Sequence, residues 1–257
     1  MGCLEEFPQQ SDSIFEDSFP DRVARLLDRI DCRLAESGEE REAIFRLRYE
    51  AYLRDQGIAP NSSKKFTDAY DNIGNVYIFG VYLDGQLASS VRIHAASREH
   101  PEFPTGEVFP EILRPLIEAG SVMIDTTRFV VDENLAKLHR ALPYATLRLS
   151  GMAAHHFHAD YLLAAVRPEH QAFYRRVFRY ERVCEPRAYP LLTKPICLMM
   201  VNYPAFVDQV HRRYPFFRST FSERKLLFTR SGGSSVAAQP QGALRPLVER
   251  DPARHVS

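Results

Sequence analysis

"SVMIDTTRFVV", residues 121–131, decides how the rest of the chain is read. Val122, Met123 and Ile124 open it, and Phe129, Val130 and Val131 close it, as in a buried strand. Asp125, Thr126, Thr127 and Arg128 interrupt the middle. A carboxylate and a guanidinium inside an apolar strand cost desolvation free energy. Their presence therefore points to work other than packing. Taken alone, Asp125 and Arg128 read equally well as an ion pair across a sheet edge.

Working outward, "RIDCRLAES" reads as a first strand. Ser37, with Glu40 three residues on, forms a capping box that starts a helix. Ile44, Leu47 and Ala51 recur there at helical spacing, Arg48 and Tyr52 share a face, and Gly57 is a stop. "KKFTDAYDNIGN" is a loop. Two β-rich runs, "VYIFGVYLDGQLASSVRIHAAS", join at Asp84-Gly85, a strong hairpin signal. A Pro-containing, partly helical connection covers residues 101 to 119. After the opening strand come a helix ("LPYATLRLSGMAAHHFHAD"), a short buried strand ("YLLAAV") and a helix begun by Pro168 ("RPEHQAFYRRVF"). "YERVCE" and "KPICLMMVNY" are further strands, and "PAFVDQVHRRYPFFRST" is a last helix running into an extended segment. This order predicts an α/β (α+β) fold, a mixed and mostly antiparallel central sheet flanked by helices on both faces. Residues 1–22 read as a flexible arm, 23–228 as the domain with a helical extension, and 229–257 as a disordered tail.

The 257 residues carry 33 Lys+Arg and 33 Asp+Glu, so no global field favours nucleic acid or a membrane surface. No apolar run approaches the ~20 residues of a membrane-spanning helix. The first residues lack a secretory h-region, and Glu6 spoils a myristoylation pattern. Four scattered cysteines, with no Cys-x-x-Cys pair, favour reduced thiols, so the expected location is cytoplasmic.

"PEHQAFYRRVFRYERV" and the element order resemble the Gcn5-related N-acetyltransferase (GNAT) fold. Coenzyme A-dependent members carry a glycine-bearing pyrophosphate loop. Here the corresponding stretch, "HRALPYATLRLSG", has no glycine pair. Within the fold, Arg48 and Tyr52, Asp68-Ala-Tyr70-Asp71, Arg92 and Asp125-Thr126-Thr127-Arg128-Phe129 resemble, in order, motifs of acyl-homoserine-lactone synthases. Those enzymes hold S-adenosylmethionine with a Trp where this chain has Ile58, and this chain has no Trp. The chain is thus more similar to the sister group, the FeeM-type long-chain N-acyl amino acid synthases. Its C-terminal stretches "CEPRAYPLLTKPICLMM" and "RRYPFFRSTFSERKLLF" also look like that group.

The resemblance implies an N-acyltransferase that joins a long-chain acyl group from acyl carrier protein to an amino acid's α-amine. Phosphopantetheine of the carrier protein would be the donor, with no bound cofactor and no metal. Asp125 would accept the amine's proton, Tyr174 would protonate the leaving thiolate, and backbone N–H groups near Arg128 to Val131 would meet the carbonyl oxygen. Arg48, Tyr52, Asp68, Asp71, Arg92, Thr127, Phe129, Val130 and His170 would frame the substrates.

Other readings stand beside these. A lactone synthase and a non-catalytic acyl- or carrier-binding module fit the same motifs. Arg48 reads also as a snorkelling surface residue, the Asp68–Asp71 loop as a plain turn and Tyr174 as a core tyrosine. His155, His156 and His158 lack partners at metal-ligand spacing. Arg167, Arg175, Arg176, Arg179 and Arg182 suit an acidic carrier protein or a solvated helix face. Leu147, Leu149, Met152, Phe157, Leu198, Met199 and Met200 suit an acyl tunnel or ordinary core.

Overall fold

The structure, a computed structural model, describes residues 18–229. Seven strands form one sheet: β1 (Ile30–Leu34), β2 (Val76–Leu83), β3 (Gln86–Ala96), β4 (Met123–Val131), β5 (Tyr161–Val166), β6 (Glu181–Arg182) and β7 (Cys197–Asn202). Their spatial order is β1-β2-β3-β4-β5-β7-β6. Every neighbouring pair is antiparallel except β4 and β5, which run parallel. The mixed, mostly antiparallel sheet expected from the element order is therefore present.

The helices are α1 (Phe19–Leu27), α2 (Gly38–Arg54), α3 (Pro104–Val108), α4 (Pro110–Glu118), α5 (Glu133–Leu138), α6 (Leu142–His156), α7 (Gln171–Phe178), α8 (Tyr203–Arg213) and α9 (Phe221–Phe228). One face of the sheet carries α1, α6, α8 and α9, whose Leu142, Leu149, Met152, Val210 and Phe228 join Phe79, Val91 and Ile124 in the larger core. The other face carries α3 and α4, with Phe109, Leu113 and Ile117 against Met123 and Leu198. Helix α2 lies beside them and buries Ile44 against Val76 and Ile78.

Local chemistry explains the boundaries. The Ser37–Glu40 capping box starts α2. The β2–β3 hairpin turns on Asp84 and Gly85, both at positive φ (50° and 83°), the pair of values that a tight primed turn needs.

Two expectations are corrected. Residues 18–22 were assigned to a loose arm. They open α1 instead, because Ser18 and Asp21 make a capping box and Val23 and Leu26 are buried. The rest of the arm and the tail from residue 230 lie outside the described residues. The stretch read as the last helix is not the last: α8 ends at Arg213, a 3-10 turn covers Pro215–Phe217, and a further helix, α9, begins at Phe221.

Two irregularities shape the centre of the sheet. Along β3 and β4, Ser90 faces Val130 and Arg92 faces Thr127, so Arg128 and Phe129 together oppose the single residue Val91. This is a β-bulge, and Arg128 takes a left-handed φ of 52° to make it. Along β4 and β5, pairing runs from Met123–Tyr161 to Thr126–Ala164 and then stops. Beyond that rung β5 departs with β7, and the backbone of 127–131 has no strand on that side.

Candidate active site

The parting of β4 and β5 opens a cleft of about 500 Å³. Thr127, Arg128, Phe129 and Val130 line one wall, His170 and Tyr174 the other, and Tyr52 reaches in from α2. Seven of the residues singled out from the sequence therefore meet there. Arg48, Asp68, Asp71, Arg92 and Asp125 are not among the lining residues.

Four of those five lie behind the wall as a buried network. Arg48 Nη1 donates to Asp71 Oδ1 at 2.8 Å. Arg92 donates to Asp68 at 2.5 and 3.2 Å, to Asp71 at 3.1 Å, and from Nε to Thr127 Oγ1 at 3.0 Å. Arg128 Nη2 donates to Asp68 Oδ2 at 2.6 Å, and its guanidinium stacks 4.0 Å from the Phe66 ring centroid. Burial would raise both carboxyls. Arg48 and Arg92 nevertheless hold Asp71 well below the usual range, and Arg92 and Arg128 lower Asp68. Burial lowers the guanidinium of Arg48 to about 10. The reading of Arg48 as a surface residue is thus overturned, since it is wholly buried.

Within this network three guanidiniums face two carboxylates, which leaves one positive charge unmatched. Arg128 is the network member that borders the cleft. Its Nε has no hydrogen-bond partner among the described residues.

Asp125 departs from expectation. Its carboxylate lies against Thr105 of α3, and it is not among the residues that line the cleft. Thr105 closes over it, donating its hydroxyl at 2.7 Å and its N–H at 3.2 Å. Complete burial raises the carboxyl to about 6, against the pull of those two bonds. A carboxylate sealed in this way ties α3 to β4 and has no direct path to an amine in the cleft. The proposal that Asp125 accepts the amine's proton, directly or through water, is thereby narrowed to the route through water.

Tyr174 lies on α7, at the wall of the cleft. It lines the cleft and, with Thr126, also lines a second, narrow cavity of about 40 Å³ beneath α8. Burial pushes its phenol pKa well up, so it is a protonated donor at neutral pH. His170 stands at the exposed rim, its Nε2 2.7 Å from Arg167 Nη2. Burial and Arg167 lower its pKa, so the ring is neutral at pH 7 and Nε2 accepts.

The narrow cavity is apolar, bordered by Leu147, Gly151, Phe178, Val207 and Phe217. Of the proposed tunnel residues only Leu147 borders it. Leu149, Met152, Leu198 and Met199 are buried core, and Phe157 and Met200 pack against that core.

The arginine cluster divides. Arg167 pairs with Asp55 at 3.1 Å across the cleft mouth, and Arg182 pairs with Glu185. Arg175, Arg176 and Arg179 are exposed on and just beyond α7. No group of three ligating side chains that could hold a metal ion occurs among the described residues, and His156 instead stacks on Phe228. Sequence reasoning missed Thr105, Asp55, Ser89 and Thr146. Hydroxyls within apolar runs were the only available signal for the last two.

A mixed sheet split between two central parallel strands, bulged on one of them and flanked by helices on both faces, is the GNAT-like architecture of an acyltransferase. The chain belongs to the N-acyl amino acid synthase FeeM family, whose sequence profile matches residues 43–202. Among solved structures it is similar to FeeM, an N-acyl amino acid synthase from uncultured soil microbes. That likeness has a TM-score of 0.59 and 19% identity over 73% of this chain and 98% of that one. It is also similar to MesI, a CoA-dependent acyl-homoserine lactone synthase, with a TM-score of 0.50 and 19% identity over 75% of this chain and 97% of that one. TofI, in a ternary complex with an inhibitor and MTA, gives a TM-score of 0.51 and 13% identity over 68% and 91%. At these identities the likeness is one of fold. No curated protein matches the chain at significance. Among the described residues no helix is long and apolar enough to cross a membrane.

Proposed function

We propose that this acyltransferase moves a long-chain acyl group from the phosphopantetheine of acyl carrier protein to the α-amine of an amino acid. The observation that carries the reading is the cleft itself. A bulged β4 with unpaired backbone forms one wall and Tyr174 the other, and an apolar cavity opens behind Thr126. A thioester carbonyl against β4 would meet N–H groups, and its acyl tail would run past Thr126 toward the cavity, whose apolar lining would part to take a long chain. The amino acid's carboxylate suits the network's net positive charge, met at Arg128, the member that borders the cleft.

In this reading the amine nitrogen bonds to the thioester carbon and the carbon–sulfur bond breaks. Tyr174 gives its proton to the sulfur and regains one from the nitrogen, so the protons balance. Water at the mouth, beside Asp55 and His170, takes the proton with which the ammonium arrives. The missing glycine loop at the start of α6, where Ala141 stands at the N-cap, favours a donor without a nucleotide. Exposed Arg175, Arg176 and Arg179 suit an acidic carrier protein in the cytoplasm.

The test incubates the protein with acyl-carrier protein and each amino acid, followed by mass spectrometry. An N-acyl amino acid series spaced by methylene units is expected. Lactone formed from S-adenosylmethionine, or no turnover with any amine, overturns the reading.

A further inference from the structure

We infer that the amide N–H of Val131 is the donor that meets the thioester oxygen, and that the buried hydroxyl of Ser89 aims it. This rests on the acyl-transfer reading above. Ser89, on β3, is fully buried, and its Oγ donates to the carbonyl of Val130 at 2.7 Å. Behind it, Thr146 of α6 places its hydroxyl 2.9 Å from Ser89 Oγ and 3.0 Å from the carbonyl of Leu142. Neither Ser89 nor Thr146 lines the cleft. Both are positioning residues that act through the backbone.

The Val130 carbonyl and the Val131 N–H belong to one rigid peptide plane. No described peptide bond is cis. In a trans plane the two groups point in opposite directions. The carbonyl is held toward β3, so the N–H points away from β3, to the side that β5 has vacated.

The register gives the same direction independently. The N–H of Asp132 donates to the carbonyl of Ala88 at 2.8 Å. Rungs of an antiparallel ladder alternate between bonded and unbonded pairs. The next rung, Val131 opposite Ser89, is therefore the unbonded one, with its N–H directed outward. Val131 lines the cleft, and its N–H has no competing strand acceptor on that side.

The ladder is interrupted at Arg128 and Phe129 and resumes at Ser90–Val130. By the same alternation that rung is bonded, so the Val130 carbonyl sits at the first main-chain rung after the bulge. Ser89 adds a second donor to this carbonyl from within the core, and Thr146 couples it to α6.

Steady-state kinetics of Ser89→Ala, Thr146→Val, Thr146→Ser and the Ser89→Ala/Thr146→Val double variant test this. Outright loss of an oxyanion donor costs about 10²–10³-fold in kcat. A misaimed donor costs less, so Ser89→Ala is expected to lower kcat about tenfold with both KM values within about twofold. Thr146→Val should lower kcat less, Thr146→Ser should restore it, and the double variant should match Ser89→Ala alone, because Thr146 acts through Ser89. Unchanged kcat in Ser89→Ala, a loss confined to KM, or multiplicative effects in the double variant overturn the inference. Amide hydrogen exchange gives a readout that needs no turnover. Val131 is expected to exchange faster than Val130 and Asp132, and a protected Val131 overturns the assignment. If wild type acylates no amine, the functional reading falls, while exchange still decides where the N–H points.

Discussion

The guanidinium of Arg92 grips both carboxylate oxygens of Asp68, at 2.5 and 3.2 Å, from a position with no exposure to solvent. This fork joins β3 to the loop that carries Asp68 and Asp71, and through Asp68 it reaches Arg128 at the cleft. Arg92→Lys keeps the charge and loses the fork and the bond to Thr127. Breaking a buried pair costs about 3–5 kcal/mol. Urea unfolding of Arg92→Lys should show a loss of that order, and kcat/KM should fall with it. A variant as stable as wild type would show that the network carries no strain-free geometry worth keeping.

Asp125 sets a pH dependence whose sign can be worked out. Its carboxyl titrates at about 6 in the fold against an ordinary 3.8. The folded protein therefore holds this proton more tightly than the unfolded chain. Stability from this group is full below 3.8, falls as pH rises, and is lost above about 6. Asp68 and Asp71, held below their ordinary values, act oppositely: their contribution is present above 3.8 and is lost at lower pH. Asp125→Asn keeps the shape and can still bond Thr105. Relative to wild type it should gain stability between pH 4.5 and 7, by up to about 3 kcal/mol. Turnover of Asp125→Asn should stay within about tenfold of wild type, since the carboxylate does not reach the cleft. Complete loss of turnover in a folded variant would restore Asp125 as the proton acceptor.

Tyr174→Phe removes the phenolic hydroxyl that borders both the cleft and the narrow cavity, while keeping the ring that stacks edge-on against Phe173 and Tyr180. General-acid assistance is worth about 10²–10⁴-fold. A drop in kcat of at least about a hundredfold, with the donor's KM little changed, is expected in rapid-quench assays. A drop under threefold would assign Tyr174 to packing.

Gly151 borders the narrow cavity, and a Cβ built there meets no atom within 4 Å. Gly151→Val should therefore fill the cavity without displacing backbone. Product chain lengths, read by mass spectrometry, should shift to shorter acyl groups. An unchanged distribution would place the tail elsewhere.

Much of this architecture is legible in the residues. The Asp84-Gly85 turn, the Ser37–Glu40 box and the alternation of apolar residues fix the hairpin, α2 and the sheet, because each depends on neighbours in sequence. The grouping of Arg48, Asp71 and Arg92 followed only from the order of motifs, since their contacts span 21 to 23 positions. The direction in which Asp125 points was not legible. Strand alternation alone puts Asp125 and Thr127 on one face and Thr126 and Arg128 on the other. Only the pairing with β3 shows that Arg128 breaks this rhythm, by adopting a backbone conformation that arginine seldom takes.

That conformation has a consequence for any attempt to evolve the protein. Glycine is at ease with a φ of 52°, whereas arginine is not. A laboratory selection for heat resistance alone would find little reason to retain the side chain if its ion pair were replaced elsewhere. A selection for product would have to retain it. Divergence of the two screens at this single codon would reveal which pressure had shaped the bend.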